Sequence, residues 1–498
     1  MLNEKFRACV SPLIWERKTS GIIALAVLTL ALLVLAVARP EATAFQQSFA
    51  TMCVGFRGPV SIFCYLCLAV LAFLVCTRYG SIRLGGENAK PEYSMFSWLS
   101  CLFMAGCGIG IVYYCQEPVL HYLNNPYYGH VWGDAIGVAF SLSLFEWTIN
   151  DWSQFALLGV ILGYFHYNCG KDLRMSSVLP AKTPLWVRRA IDITMALGVI
   201  AGLTTSLGLG AVQLSEGLKH VFDTTVSPYM LMFFIAVVVL WSVISGLHKG
   251  IKWLSNLTSL LVGILLVSVL CIGVIGHHVY DFVTYIGKGT GLLLANFVCY
   301  SDFYNSLTTP WVSEKIIFNN LWFAAWAAFV AVFVAKISKG RTIRQFILGV
   351  VAVPTLFTII WFGVFGRMGM EYKELISQSM SSNISTALFV FLQSITTNGY
   401  YVLLSALVLM IICMFFITSS DSGSYVVATL LSREKHVSAG DKVLWATIQC
   451  VVAMVLYWCG DLILVQSASV IMGIVVMALM CIGTYFFFQK LIKKENSK

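Results

Sequence analysis

Charged residues are scarce in this chain of 498 residues, where Asp, Glu, Lys and Arg together make up 11%. The nucleotide-binding pattern GxxxxGK[ST] is absent, so the sequence predicts no ATP hydrolysis. The eight histidines are dispersed and form no His/Asp or Ser/His pattern typical of a catalytic centre. A lone CxxC, formed by Cys64 and Cys67, lies inside an apolar stretch and lacks a redox context. These features argue against an ATP-driven pump, an enzyme, a cofactor or a resident transition metal.

Apolar residues dominate instead, at 59% of the chain with a mean hydropathy of +0.83, which indicates a polytopic membrane protein. Because about 20 apolar residues cross ~30 Å of hydrocarbon, the sequence predicts about twelve transmembrane helices. The first run, residues 21–38, exceeds the about 7–15 residues of a signal-peptide core and is predicted to remain as a span. The runs begin near Ile22, Val60, Phe96, Ile136, Ala190, Tyr229, Leu254, Leu321, Phe346, Tyr401, Val443 and Leu462.

The basic residues indicate how these spans cross the membrane, because cytoplasmic loops carry an excess of Lys and Arg. With the N-terminus inside, most of the 32 lysines and arginines fall on the cytoplasmic side of twelve spans. The sequence therefore predicts a multi-pass protein embedded in the lipid bilayer of the cytoplasmic (inner) membrane, with both termini in the cytoplasm. The net charge of +9 then reflects topology, and we expect no nucleic-acid partner.

Two aromatic clusters lie inside predicted spans. A quaternary ammonium group has no proton to donate, whereas each aromatic face attracts it by ~0.5–2 kcal/mol. On one continuous helix the three rings of the first cluster fall within an arc of about 140°, so one face can present them together. The pattern predicts a cage for an organic cation, and the alternative is the interfacial aromatic belt of membrane proteins. The clusters are Trp147, Trp152 and Phe155 in the fourth span and Trp322, Phe323 and Trp326 in the eighth.

Glycines are concentrated in the third span, at Gly106, Gly108 and Gly110 of the run AGCGIG. Each glycine weakens a helix by up to ~1 kcal/mol relative to alanine, so this density needs an explanation. One explanation is an unwound segment whose free backbone groups line a binding cavity, as in broken transporter helices. The other is close helix packing, because Gly106 and Gly110 also form a GxxxG motif.

The order of the motifs carries a resemblance. AGCGIG and a following EP in the third span, FxWxxxxWxxF in the fourth, the aromatic patch before KISKGRTIRQF, and ITSSDSGS further on occur together. In this combination the chain resembles the betaine/choline/carnitine transporter family from about Pro59 to its C-terminus.

The resemblance implies an all-α polytopic membrane protein with a leucine-transporter-like fold, in which two peripheral helices precede two inverted repeats of five helices. The implied divisions are 1–93 for the N-terminal tail and peripheral helices, 94–278 for the first repeat, 279–318 for an amphipathic external connection, 319–491 for the second repeat and 492–498 for a short cytoplasmic tail. Because family members are often trimers, the resemblance also implies a homotrimer.

The same resemblance assigns substrate binding to the six aromatic residues of the two clusters. Phe155 stands where family members commonly have tyrosine, so a hydroxyl is missing there. Glu146 and Asp151 stand where the family typically has histidine and proline or glycine, and carboxylates inside a membrane are functional candidates by default. On a continuous helix Asp151 lies about 40° round the wheel, between Trp147 and Phe155. We expect Asp151 at the rim of the cage, favouring a net cation over a zwitterion or carrying a proton; alternatively, it caps the start of a helix.

Coupling to Na⁺ is implied at the unwound segment from Ala105 to Gly108, together with the hydroxyls of Thr418 and Ser419. Thr204, Thr205 and Ser206 could line a second position. Hydroxyls are also ordinary hydrogen-bonding groups between membrane helices, and this alternative stays open.

The choice between symport and exchange depends on one further position. Thr258 stands where the resemblance implies arginine in sodium-independent exchangers, so it favours cation symport. Coupling to H⁺ through Glu117, Glu146, Asp151 or Glu216 stays open.

These observations predict a secondary transporter that moves a small trimethylammonium compound, such as choline, carnitine or betaine, by alternating access. The alternatives are a sodium-independent exchanger of the carnitine/γ-butyrobetaine type and a ligand sensor that no longer transports. The sequence does not choose among the substrates.

Overall fold

The computed structural model describes residues 21–31, 42–125, 134–244, 248–276, 279–300, 313–431 and 437–495. Over these ranges the chain is helical, and its β structure is limited to one bridge between Arg83 and Thr342. The helices are α1 (Gly21–Ala31), α2 (Ala42–Cys76), α3 (Met95–Cys107), α4 (Gly110–Tyr113), α5 (Glu117–Asn124), α6 (Ala135–Trp147), α7 (Ile149–Cys169), α8 (Leu185–Phe222), α9 (Pro228–Ile244), α10 (His248–Gly276), α11 (Val279–Asn296), α12 (Phe318–Ile337), α13 (Ile343–Gly369), α14 (Lys373–Asn383), α15 (Ala387–Ile395), α16 (Asn398–Leu431) and α17 (Ala439–Glu495).

Eight segments within the described ranges are long and apolar enough to cross a membrane, and α17 contains two of them. The other predicted spans coincide with helices that are shorter, at α1 and α9, or interrupted, at α3 to α5 and α6 to α7. The prediction of an all-α polytopic membrane protein is confirmed. The segments are Gly55–Cys76, Leu185–Phe222, Lys252–Gly276, Lys315–Ile337, Ile343–Ile395, Gly399–Leu431, Ala439–Cys459 and Gln466–Lys493.

Two spans are broken near their middle. The third is interrupted at Gly108, whose φ of 51° and ψ of −151° end α3, and one turn of helix follows before α5. The fourth is interrupted at Thr148, with φ −123° and ψ −113°. The Thr148 hydroxyl donates to the carbonyl of Leu144, one turn back. Each break leaves backbone groups of the adjoining helix ends without intrahelical partners, at the depth where the aromatic clusters lie.

The break at Thr148 corrects one expectation from the sequence. Trp147 is the last residue of α6, whereas Asp151 and Phe155 lie in the first two turns of α7. The single helical wheel that placed these three residues on one face is therefore wrong, because it assumed an uninterrupted helix.

The helices form a central group and a peripheral group. Within the most apolar 18-residue windows of α8 and α12, 94% of the residues are buried, compared with 22% for α10. The central helix α12 packs against α7, α8 and α17, and α8 also packs against α16. Both halves of the chain therefore contribute to the core that surrounds the second aromatic cluster.

A separate amphipathic helix occupies the first part of the predicted connection 279–318. Its two faces differ in burial, as expected of a helix at a membrane surface. Residues 301–312 of that connection lie outside the described ranges. On α11, Tyr280, Val283 and Leu294 are exposed, while Phe282, Tyr285 and Leu293 are buried.

A clasp at the predicted cytoplasmic edge joins the connection between α12 and α13 to the start of α3 and to the residues just before it. Arg341 donates to the carbonyl of Tyr93 at 2.7 Å, and its guanidinium carbon lies 4.8 Å from the centroid of the Trp98 ring. The Trp98 indole N–H donates to Ser338 at 2.9 Å. Hydrogen bonds to buried side chains are costly to leave unmade, so this clasp holds the two halves of the chain together on one side.

Candidate binding site

The six predicted aromatic residues form one continuous cluster at the two breaks. The Trp147 ring centroid lies 6.4 Å from that of Trp322 and 6.0 Å from that of Phe323, with the planes nearly perpendicular. Phe155 stacks on Phe323 at 5.4 Å. These separations fall within the about 4.5–7 Å typical of paired aromatic rings. Two further rings complete the cluster: Trp152 lies 5.4 Å from Phe155, and Trp326 lies 6.2 Å from Trp322.

Tyr114 is a seventh ring of this cluster, which the sequence analysis did not single out. Its centroid lies 5.5 Å from that of Trp147 and 6.1 Å from that of Trp322. Its hydroxyl accepts a hydrogen bond from the side-chain amide of Gln466 at 2.6 Å. The tyrosine pair shortly after the glycine-rich run was the sequence feature that could have identified this ring. No sequence pattern indicated the hydrogen bond from Gln466 of α17.

The glycines of the third span face these rings. A Cβ at Gly106 would collide with the indole of Trp152, and a Cβ at Gly108 would collide with that of Trp326. At Gly110 a Cβ would meet the Trp147 ring at 3.4 Å, a nearly ordinary contact. Both explanations considered for the glycines are therefore partly realised, because the helix is interrupted and the glycines allow close packing. The close neighbours are aromatic side chains and not the backbone of another helix.

Trp326 is held in position from a third element. Its indole N–H donates to the carbonyl of Gly202 on α8 at 3.0 Å. A Cβ at Gly202 would lie 2.7 Å from the Trp326 ring, so this glycine also makes room for the indole. In contrast, the indole N–H group of Trp322 is buried and has no acceptor among the described residues. This donor is available to a ligand oxygen.

Asp151 is completely buried in the first turn of α7. Its Oδ2 accepts from the side-chain amide of Asn319 at 3.0 Å, and the same amide donates to the carbonyl of Glu146 at 2.6 Å. Asn319 lies one turn before Trp322 and Phe323 on α12, so Asp151 is one turn from the rings. Its Oδ1 has no partner in the described part of the chain. Helix capping, the alternative for Asp151, is not observed, because Thr148 is the N-cap and the carboxylate binds another helix.

A polar layer lies between the rings and the predicted external face. Lys315, in the π turn before α12, forms an ion pair with Glu117 of α5. Tyr122 donates to Oε2 of the buried Glu146 at 2.9 Å. On its outer side, Glu117 and His121 line a cavity of about 480 Å³. The sequence analysis did not identify Lys315, because no local sequence pattern indicates an ion pair whose members are 198 residues apart.

The residues predicted for cation coupling separate into two groups. Ser419 lines a cavity of about 10 Å³ with Ser206 and Ser420, at the level of Ile109 beside the third-span break. This volume corresponds to about one water-sized particle. The Ser206 hydroxyl is buried and has no partner within the described ranges. Ala105 lies in the last turn of α3, whose carbonyls lack intrahelical partners because the helix ends there.

The predicted threonines hydrogen bond to backbone of their own helices. Thr204 and Thr205 donate to the carbonyl of Ala201 at 2.8 and 3.1 Å. Thr418 donates to the carbonyls one turn back, at 2.9 and 3.1 Å. Thr258, on α10, donates to the carbonyl of Leu254 at 2.8 Å. The structure therefore brings Ser419 to the cavity with Ser206, which the sequence analysis assigned to a second position, and with Ser420, which it left out.

Comparison with known proteins places this arrangement in a family. The family model for betaine/carnitine/choline family transporters (BCCT) matches residues 19–496. This chain belongs to that family. The resemblance drawn from the motifs is confirmed, and the protein is a multi-pass membrane transporter and not an enzyme. The all-α polytopic membrane fold, which the resemblance implied, applies to it; the two peripheral N-terminal helices and the bounds of the repeats stay predictions.

Several characterised relatives cover most of the chain. An ectoine/hydroxyectoine transporter of Virgibacillus pantothenticus is 31% identical over 453 residues, 86% of this chain and 88% of that protein. A glycine betaine transporter of Bacillus subtilis is 32% identical over 454 residues, 88% and 86% of the two chains. A high-affinity choline transport protein of Escherichia coli is 31% identical over 82% of this chain and 62% of its own. A solved Na⁺-coupled sialic acid symporter aligns over 86% of each chain with a TM-score of 0.49 and 12% identity.

Replacing Gly108 by alanine tests the glycine break. We expect Gly108→Ala to destabilise the protein by about 2 kcal/mol, because a side chain at positive φ is strained and its Cβ collides with Trp326. Gly110→Ala is the matched control, since its Cβ would make nearly ordinary contacts. Thermal unfolding of purified protein in detergent measures both. Equal melting temperatures for the two variants would contradict the assignment of the break to Gly108.

Proposed function

We propose that this transporter moves small trimethylammonium compounds across the cytoplasmic membrane by alternating access, with the ammonium group bound among the aromatic rings. The observation that carries the proposal is the convergence of six rings, three from the broken fourth span and three from α12, onto one cluster. Rings attract a cation that cannot donate hydrogen bonds, and several rings add to a useful affinity at ~0.5–2 kcal/mol each. Relatives described as glycine betaine and choline transporters support the same substrate class.

Two closures on opposite sides of the cluster support alternating access. Towards the predicted outside, the ion pair of Lys315 and Glu117 joins the start of the eighth span to the second half of the third. Towards the predicted cytoplasm, Arg341 and Trp98 form the clasp described above. We infer that each closure opens in turn while the other holds, and that the protein is a multi-pass protein with both termini inside the cell. The homotrimer stays a prediction.

The polar groups near the rings favour choline over betaine as substrate. The free indole N–H group of Trp322 fits an acceptor oxygen, which a hydroxyl supplies as well as a carboxylate. Oδ1 of Asp151 has no hydrogen-bond partner in the described ranges, so it favours a ligand with net positive charge bound among the rings, one turn away. Phe155 supplies no hydroxyl that could bind a substrate carboxylate. Choline, with a permanent positive charge and a hydroxyl, matches each of these groups.

Cation symport is the coupling that we favour. The cavity at Ser206, Ser419 and Ser420 has room for one small ion, and hydroxyl and carbonyl oxygens are hard ligands suited to Na⁺. At Thr258 the chain has a small hydroxyl residue and not the arginine implied for sodium-independent exchangers. Coupling to H⁺ has one specific support, because Glu117 lines the external cavity and Glu146 lies between it and the rings.

Truncating a ring tests the substrate site. We expect Trp147→Leu to reduce uptake of labelled choline into proteoliposomes about tenfold or more, and Trp147→Phe to reduce it less, because phenylalanine keeps an aromatic face. Trp241→Leu serves as the control, since Trp241 is exposed on α9 away from the cluster. Choline, carnitine, glycine betaine and γ-butyrobetaine are assayed in parallel. Unchanged uptake of all four by Trp147→Leu would contradict binding among the rings.

Neutralising Asp151 tests substrate selection. We expect Asp151→Asn, which keeps the side chain's size, to lower the preference for choline over betaine by about fivefold or more, because a nearby negative charge is lost. The readout is inhibition of labelled-choline counterflow by each unlabelled compound. Asp192→Asn, which changes a buried carboxylate bound to Ser176, is the control. If Asp151→Asn leaves both the selectivity and the pH dependence unaltered, Asp151 has no part in recognition.

Removing one hydroxyl tests the coupling site. Empty proteoliposomes should accumulate substrate under an imposed Na⁺ gradient, and Ser419→Ala should lose most of that accumulation while retaining counterflow between preloaded substrate and label. Thr447→Ala, which removes an exposed hydroxyl on α17, is the control. Accumulation driven by a proton gradient alone would instead assign the coupling to H⁺. A requirement for preloaded substrate under both gradients would identify an exchanger, and no flux in any format would identify a sensor.

A further inference from the structure

Two clefts open side by side at the predicted cytoplasmic edge of α7. One, of about 590 Å³, lies between the end of α7 and the connection after α2, and its lining includes Arg78 and Arg83. The other, of about 550 Å³, lies between the end of α7 and the last turns of α17, and its lining includes Lys171, Lys490 and Lys493. Asn168 lines both clefts, so we treat them as one site, the basic cleft pair.

The charge of this site is unbalanced. Five of its lining residues are basic, and Glu87 is the one acidic residue named in the described lining. Within the described ranges, Lys171, Lys490 and Lys493 form no salt bridge with a carboxylate, and Asp172, next to Lys171, pairs with Arg174 at 3.2 Å. Lys490 and Lys493 are three residues apart, so they project from neighbouring positions on one helix face. Several cations around a cavity attract an anionic group.

An apolar surface continues from the clefts towards the membrane. Phe165 and Phe486 line the second cleft. Close to the first, the ring of Phe73 lies 5.8 Å from that of Phe488, which joins α2 to α17. Phe73 is 45% exposed and Tyr485 is 59% exposed, so part of this surface faces outward from the helices. A molecule with an anionic head and apolar chains would match both the clefts and this surface.

We propose that the basic cleft pair binds the phosphate headgroup of an anionic phospholipid of the inner leaflet, with its acyl chains along Phe73 and Phe488. Basic pockets between transmembrane helices on the cytoplasmic side bind lipid phosphates by the same combination of charge and depth. The positive-inside rule accounts for the presence of basic residues at this edge but not for their convergence on two cavities beside an apolar surface. A soluble phosphate shares the headgroup chemistry but makes no use of the apolar surface.

The test measures how lipids change the melting temperature of the purified full-length protein in detergent. Phosphatidylglycerol should raise the melting temperature of the wild type, whereas phosphatidylcholine and inorganic phosphate should not, because binding to the native state stabilises it. In Lys490→Gln/Lys493→Gln the affinity for phosphatidylglycerol should fall about 30-fold, since each basic residue near an anionic surface contributes about fivefold. Lys90→Gln/Lys252→Gln, which removes two exposed lysines outside the clefts, should behave as the wild type.

Two results would overturn the proposal. If Lys490→Gln/Lys493→Gln retains the full rise in melting temperature with phosphatidylglycerol, the basic cleft pair is not the lipid site. If inorganic phosphate raises the melting temperature of the wild type equally, the site binds soluble phosphate and not lipid. The variant must melt as the wild type in phosphatidylcholine, which checks its fold. If the double variant fails to fold, Lys171→Gln is titrated with the same lipids and with inorganic phosphate. The same two results would then overturn the proposal.

Discussion

Large aromatic rings can gather in the middle of a helical bundle only where neighbouring helices leave room for them. Gly106, Gly108 and Gly202 leave that room here, because a Cβ at each would press into an indole ring. Gly108 also supplies the positive φ that ends α3. The break and the ring cluster therefore depend on the same residue, because Gly108 both leaves space for Trp326 and ends α3. The packed rings, the unpaired carbonyls at the end of α3 and the small serine-lined cavity all lie beside this break.

The polar groups around the rings follow from the cost of burying them. Inside a membrane an unpaired charge is expensive, and several of the buried polar groups beside the rings meet a partner from a distant part of the chain. Lys315 pairs with Glu117, and Asn319 holds both the carbonyl of Glu146 and the carboxylate of Asp151. Among the buried groups that have no partner in the described ranges, Oδ1 of Asp151 and the indole N–H of Trp322 lie at or within one turn of the ring cluster.

Much of the architecture was predictable because membrane constraints act locally. A helix must be about 20 apolar residues long to span the bilayer, so the positions of the spans could be predicted from the sequence. The orientation that the basic residues indicate stays a prediction. The two aromatic clusters and the glycine-rich run were recognisable in the same way, and the motif order indicated the family. The break at Thr148 was not predictable, because the segment from Thr148 to Asn150 contains no glycine or proline and the flanking residues suit a helix. Treating that span as continuous produced the one incorrect geometric expectation, the shared face of Trp147, Asp151 and Phe155.

The sequence by itself determined that this protein is helical, crosses the membrane many times, belongs to the BCCT family and carries rings suited to a quaternary ammonium ion. These properties are set by composition, by spacing along single helices and by motif order. Only the tertiary structure decided which side chains meet: Tyr114 joins the rings, Lys315 joins Glu117, Ser206 and Ser420 join Ser419, and two basic clefts share Asn168. Such contacts join helices far apart in the chain, and their geometry is fixed by how whole helices pack and not by any local pattern.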